Sequence, residues 1–175
     1  LHNPDGSERT SEERLKLFTE RWLDSCTGIV YQKGTGKFKV VLQSKELITL
    51  PEGFNSLYFP ITYNDMTGIE LDRTGATYNT LLNKNQVETH PAWLAAVEGD
   101  VHLLKTYRDI VFAERKTDTA MGFWLRTDIP EDQLRALFVG NLNYYSFAGG
   151  YYGLYNDGSF LRVAPVVSAA GARRA

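Results

Sequence analysis

Cysteine, histidine and unbalanced charge are all scarce in this chain. It has one cysteine, Cys26, and three scattered histidines, His2, His90 and His102. A single thiol closes no intramolecular disulfide, and these four residues lack the spacing of a zinc site. No metal and no cofactor is therefore expected, and Cys26 reads as a small buried residue. Nineteen basic side chains stand against twenty-one acidic ones, leaving a formal net charge of -2. That balance lacks the concentrated basic face with which proteins read nucleic acids. No apolar run approaches the roughly 20 residues a helix needs to span a membrane, so no membrane partner is expected.

Catalytic signatures are missing too. No serine occupies a G-x-S-x-G elbow, and no histidine neighbours a nucleophile in sequence. Twenty-one acids guarantee some chance pair of carboxylates, so proximity alone does not indicate glycoside hydrolysis. Glu46, Glu52, Glu70, Asp72, Glu98 and Asp100 lie in charged or turn-like contexts and read as solvated. Gly34, Gly36 and Lys37 have the wrong spacing for a phosphate loop, and no helical pattern follows them. The chain is not expected to be an enzyme.

What is present is enough for one domain over 1–175, long enough to bury roughly two thirds of its unfolded surface. Residues 1–9 are expected to be a flexible lead and 10–24 a helix. In TSEERLKLFTERWLDS, Thr10 and Glu13 have the spacing of a capping box, and Leu15, Phe18 and Trp22 recur on one face. From 27 to 165 the pattern is β-rich. TGIVYQ, KFKVVLQ, ELITL and SLYFPI are dense in β-branched and aromatic residues, with KGTG suited to a hairpin between Tyr31 and Phe38. Residues 64–89 read as short strands joined by polar turns, with reversals at Asn64-Asp65 and Thr74-Gly75. HPAWLAAVEGD starts a short helix at Pro91, with Trp93 and Val97 facing inward. VHLLKTY, DIVFAE and AMGFWLRT read as three more strands, with His102 packed in the first. DIPEDQLRALF can be helix or strand, and we read it as one or two helical turns leading into a strand through Phe138 and Val139. Residues 166–175 are expected to be a flexible tail. The expected fold is mainly β, an antiparallel β-sandwich or barrel-like domain with an N-terminal amphipathic helix and one or two short helices.

The densest feature is YYSFAGGYYGLYNDG, residues 144–158, with six aromatic rings interrupted by glycines. Alternation puts Tyr145 and Phe147 on one side of a strand, and a β-meander with tyrosines on its faces is the economical reading. Tyrosine also brings contact area and a hydroxyl to interfaces, and aromatic rings can stack on sugars.

One resemblance bears on these alternatives. A helix ending in Trp22, then the strand pair GIVYQ/KFKVVLQ, then Ile48-Thr49-Leu50-Pro51 leading to Leu57, resembles virion structural proteins of tailed bacteriophages over residues 1–70. The resemblance implies a non-catalytic component of the neck, tail or head-completion apparatus, assembled in the host cytoplasm into the virion. Its expected partners are copies of itself and other virion proteins. The residues expected at its interfaces are Phe18, Trp22, Tyr144, Tyr145, Tyr151, Tyr152, Tyr155, Arg173 and Arg174. The alternative is a β-sandwich binding module that holds a carbohydrate or peptide on the tyrosine-rich face.

Overall fold

The computed structural model describes residues 10, 23–50, 56–140, 145–151 and 159–161. Their centre is an antiparallel pair, β1 (Leu23–Tyr31) and β6 (Gln133–Val139). A hairpin joins β1 to β2 (Lys37–Val41), with Tyr31 opposite Phe38 as expected, and Gly34 at φ +67° supplies the left-handed turn residue. β4 (Ile69–Asp72) continues the sheet beyond β2. On the other side, β7 (Ala148–Gly149) lies between β6 and β5 (Phe123–Trp124). β3 (Phe59–Pro60) pairs with the first residues of β6, and β8 (Ser159–Leu161) runs parallel to the start of β1. The described strands thus form one mixed eight-stranded sheet where antiparallel pairing throughout was expected, with parallel pairings at β1–β8 and β5–β7.

Both faces of the central strands are buried. Ile29 and Tyr31 of β1 join Phe38, Val40 and the helices in the larger core, whereas Val30 turns to the smaller one with Val41, Leu47, Leu134 and Ala136. That is the period-two alternation of a strand covered on two sides. The β1–β6 register slips between Asp24 and Gly28, leaving Ser25, Cys26 and Thr27 opposite Leu137. Ser25 Oγ donates to the Leu137 carbonyl at 2.8 Å and replaces the lost ladder bond. Cys26 is a free, half-buried thiol.

Several expected strands are helices. VHLLKTY and DIVFAE are one helix, Val101–Arg115, preceded in the chain by Lys45–Ile48 (α1), Lys84–Thr89 (α2) and Pro91–Ala96 (α3), and therefore α4. The β-branched and aromatic content of 101–115 suggested strands, but Leu104, Arg108, Val111 and Phe112 fall at i, i+4, i+7 and i+8, the buried stripe of a helix. Asp100 caps it by accepting from Leu103 N at 2.9 Å, and His102 is exposed on it rather than packed in a strand. Residues 84–89 are helical because Asn83 and Gln86 close a reciprocal capping box. ELITL is not a strand either: Gln43 turns the chain at φ +48°, and Leu47 of α1 inserts into the smaller core.

Conversely, Asp128–Asp132 form no helical turn. The Asp132 carboxylate accepts from Lys33 N at 2.8 Å and Tyr63 N at 2.9 Å, so it ties two loops together instead of capping a helix. The strand through Phe138 and Val139 is present. The turns at Asn64-Asp65 and Thr74-Gly75 are 3₁₀ turns, Tyr63–Asp65 and Arg73–Gly75. α3 begins at Pro91 as expected, with Trp93 buried and its Nε1 donating to the Met121 carbonyl at 2.6 Å. Val97 packs against the same core. The helix expected over 10–24 lies outside the described residues except at Thr10 and at Leu23–Asp24, which open β1. Among the described residues no helix is long and apolar enough to cross a membrane.

Two glycines separate backbone strain from crowding. Gly34 has open space where a Cβ would go, whereas a Cβ on Gly149 (φ +154°) would sit 1.9 Å from the Trp124 carbonyl oxygen. Gly34→Ala is expected to cost about 1 kcal/mol, the conformational term alone. Gly149→Ala is expected to cost about 3 kcal/mol or more, since the β5–β7 pairing must also move. Urea denaturation of both variants checks this, and equal losses would refute it.

His90 gives the fold a pH dependence. Its ring lies 4.9 Å from Tyr78 and 5.8 Å from Phe123, and its Nε2 is 3.0 Å from the Thr77 carbonyl. A carbonyl only accepts, so Nε2 carries the proton and Nδ1 is left buried without a partner. Burial lowers the His90 pKa below the usual 6.5, only partly opposed by the bond to Thr77. Below pH 6.5 the unfolded chain therefore takes up a proton that the folded chain resists. Stability is expected to fall as pH drops from 6.5 toward 5, with a slope of up to about 1.4 kcal/mol per pH unit. Urea midpoints measured from pH 5 to 7.5, with His90→Gln as the flattened control, test it.

Candidate functional site

At one end of the sheet, three arginines from separate segments gather around a buried phenol. Tyr31 ends β1 and is fully buried. The Ile29–Arg135 and Tyr31–Gln133 pairings put Arg135 and Gln133 on the same face as Tyr31, and Arg135 Nε donates to Gln133 Oε1 at 2.8 Å. Arg126 follows β5, and its backbone N–H donates to the Tyr31 hydroxyl at 3.3 Å. Arg73 opens the 3₁₀ turn after β4. Asp72 secures that turn by accepting from Thr74 N and Oγ1, both at 2.8 Å, while Arg73 N donates to Gly36 O at 3.1 Å. The Arg73 guanidinium then lies 5.6 Å from the Tyr31 ring centre.

The tyrosine-rich segment covers this cluster. Gly150 passes directly over Tyr31: a Cβ there would lie 2.9 Å from the hydroxyl and 2.7 Å from Ile29 Cβ. Glycine is required by that close approach. The next residue, Tyr151, is 39% exposed, with the Arg126 guanidinium 5.1 Å from its ring centre and its carbonyl accepting from Arg135 at 3.3 Å. Tyr58, 5.5 Å from the Arg135 guanidinium, donates to the Glu131 carboxylate.

The electrostatics have two opposed parts. Burial pushes the Tyr31 phenol up to about 12, outweighing the Arg126 N–H and the three guanidiniums that favour its charged form. Tyr31 is therefore neutral at physiological pH. Arg73 Nε and Nη2 and Arg126 Nε are buried without a hydrogen-bond partner. Neither arginine joins an ion pair among the described residues, whereas Arg108 pairs with Glu88 and Asp109.

A second aromatic point stands apart from the first. Tyr145 and Ser146 both have positive φ, 62° and 47°, so they form a tight turn and not the expected alternating strand. The turn leaves Tyr145 37% exposed and buries Ser146. Met121 N donates to the Tyr145 carbonyl at 2.8 Å, and the Arg115 guanidinium lies 4.5 Å from the Tyr145 ring centre. Between the two tyrosines, Phe147 packs 4.8 Å from Trp124 and 5.6 Å from Phe138.

Of the residues singled out from sequence, Tyr145 and Tyr151 are exposed and each has an arginine against its ring. Phe18, Trp22, Tyr144, Tyr152, Tyr155, Arg173 and Arg174 lie outside the described residues. Sequence reasoning missed Tyr31, Tyr58, Arg73, Arg126 and Arg135. They come from five segments with no shared spacing, and only the strand register and the Gly150 crossing bring them together. Among the described residues no group of three or more His, Cys, Asp or Glu side chains is placed to hold a metal ion.

No protein-family model matches the sequence, and no curated protein matches it. Among solved structures, the chain is similar to a Nanoarchaeota protein described as showing the accommodation of massive sequence variation by the C-type lectin fold. The two are 18% identical, with a TM-score of 0.56 over 79% of this chain and 74% of that one. The likeness is one of fold.

Proposed function

We propose that this chain is a non-catalytic binding module that contacts a partner protein or peptide through its tyrosine-rich segment. The observation that carries this reading is that Tyr145 and Tyr151 are exposed while the backbone beneath them is fixed. Gly140 N donates to Phe147 O at 2.7 Å, Ala148 N to Gly122 O at 2.9 Å and Gly150 N to Trp124 O at 3.1 Å. A ring held on a rigid backbone loses little conformational freedom on binding. Tyrosine and arginine, adjacent at both points, are the residue types enriched at interface hot spots. Thirteen of the eighteen residues 141–158 are Tyr, Gly, Asn or Ser. That is the composition of antibody contact loops, where tyrosine supplies rigid area and the small polar residues adapt.

The similar fold supports the same reading. The similar structure is described as a fold that accommodates massive sequence variation, and a fold does so most readily where exposed side chains change and buried ones do not. The buried runs 29–31 and 133–138 would be the unchanging frame here, and the exposed Tyr145 and Tyr151 the positions that could change upon it. The virion-component reading rests on Trp22 and the Ile48–Pro51 tetrad. Trp22 lies outside the described residues, and Ile48 closes a helix instead of sitting in a strand.

The test is a double variant, Tyr145→Ser with Tyr151→Ser, screened with wild type against a displayed random-peptide library and a glycan array. Peptides selected by wild type are expected to bind the variant at least tenfold more weakly, the loss of more than about 1.4 kcal/mol typical of interface anchors. The double variant should remain cooperatively folded, with a urea midpoint lowered by no more than the loss of the two arginine–ring contacts, about 1–2 kcal/mol. Equal binding by the double variant would overturn the reading, and glycan capture without peptide capture would reassign the partner. Light scattering that grows with concentration into a defined ring would favour the virion component instead.

A further inference from the structure

Arg73 and Arg126 are both half-buried, both have buried donors without a partner, and neither joins an ion pair among the described residues; Arg115 shares these features, but only Arg73 and Arg126 lie with Arg135 around the Tyr31 phenol. Nearby carboxylates have other partners: Asp72 is held by Thr74, Glu131 accepts from Tyr58 and Asp132 accepts from Lys33 N and Tyr63 N. Arg73 has one weak outlet, a 3.5 Å contact from Nη1 to the Thr127 carbonyl. The Tyr31 hydroxyl receives a bond from Arg126 N, and no described residue accepts its own proton. Like-charged guanidiniums gathered over a low-dielectric floor repel one another, and unmatched buried donors are costly. A single planar or tetrahedral oxyanion seated between them removes both penalties, because each guanidinium presents paired N–H groups to such a group.

We propose that Arg73 and Arg126, with Arg135 behind them and Tyr151 at the rim, form a receptor for an oxyanion group. The proposal rests on the binding reading above and deepens it: the partner would place a carboxylate or a phosphate-type group beside Tyr151. A carboxylate would come from an acidic side chain or a chain terminus, and a tetrahedral group from a modified residue or a free inorganic ion. These sources share the chemistry that the site recognises.

The full chain is titrated with sodium acetate, sodium sulfate and sodium phosphate at constant ionic strength, against sodium chloride, by calorimetry and thermal unfolding. At least one oxyanion is expected to bind at a single site and raise Tm over chloride by about 3 °C at a concentration near ten times its Kd. A response to acetate alone assigns a carboxylate, and a response to sulfate and phosphate alone assigns a tetrahedral group. Arg73→Gln and Arg126→Gln should each weaken binding at least tenfold, while raising Tm in oxyanion-free buffer because a like charge is removed. That opposite pair of signs is not what a merely structural arginine would give. If either Gln variant fails to fold, Arg73→Lys and Arg126→Lys keep the charge, lose the fork, and should show the same tenfold loss. Equal responses to chloride and the oxyanions, or unchanged binding in the variants, would overturn the site. Such a result would leave the Tyr145/Tyr151 test intact, because that test reads peptide capture by the two exposed rings and substitutes neither arginine.

Discussion

The β1–β6 pairing is the interaction on which the remaining architecture depends. Both strands are buried on two faces, so one ladder divides the apolar residues into two cores: Ile29, Tyr31 and Leu137 turn one way, Val30, Leu134 and Ala136 the other. Each fully buried aliphatic side chain contributes about 1.5–3 kcal/mol relative to exposure, and a one-residue slip would exchange the two sets wholesale. The Ser25–Thr27 bulge confines the mismatch to one end, where the Ser25 hydroxyl takes over a ladder bond and Ser44 N donates to the Cys26 carbonyl at 2.7 Å. With that register fixed, Gln133 and Arg135 must sit beside Tyr31, and Arg73 and Arg126 reach it from the turn after β4 and the end of β5.

The hairpin at Gly34, the helix start at Pro91 and the turn at Gly75 were legible because each rests on local chemistry: a left-handed glycine, a proline at a helix start, a side chain capping its own turn. What was misread depends on distant partners. In 101–115 the composition favoured strands, yet the i, i+4, i+7, i+8 stripe with Arg108 in it faces a core built by other segments, and Arg108 is buried there because Glu88 of α2 meets it. Asp132 read as a helix start because its true partners, Lys33 and Tyr63, lie 99 and 69 residues away. The arginine site was invisible for the same reason, whereas Tyr145 and Tyr151 stood out because aromatic density is a one-dimensional signal.

The two exposed tyrosines stand on backbone that is fixed in different ways. Tyr145 stands on a left-handed turn anchored through Met121 N, and Tyr151 follows the glycine that crosses Tyr31. In both cases the backbone bonds that fix the position are made whatever the side chain there, whereas changing Gly149 or Gly150 disturbs them. The glycines and buried runs therefore specify the shape, and the exposed rings leave it unchanged.

The arginine cluster departs from that division, because its charges belong to the frame. Arg135 lies on the central strand and is 4% exposed, and Arg73 is fixed by the turn that ends β4. A fold selected for stability alone would place neutral side chains there, since an apolar substitute of similar volume avoids both the desolvation and the mutual repulsion of the guanidiniums. Local violations of such rules concentrate where a protein meets a ligand. Here the violation sits directly beneath one of the two exposed tyrosines. A charge requirement built into the frame and an aromatic surface laid over it would divide recognition in two: the first admits a chemical class of ligand, and the second distinguishes members within it.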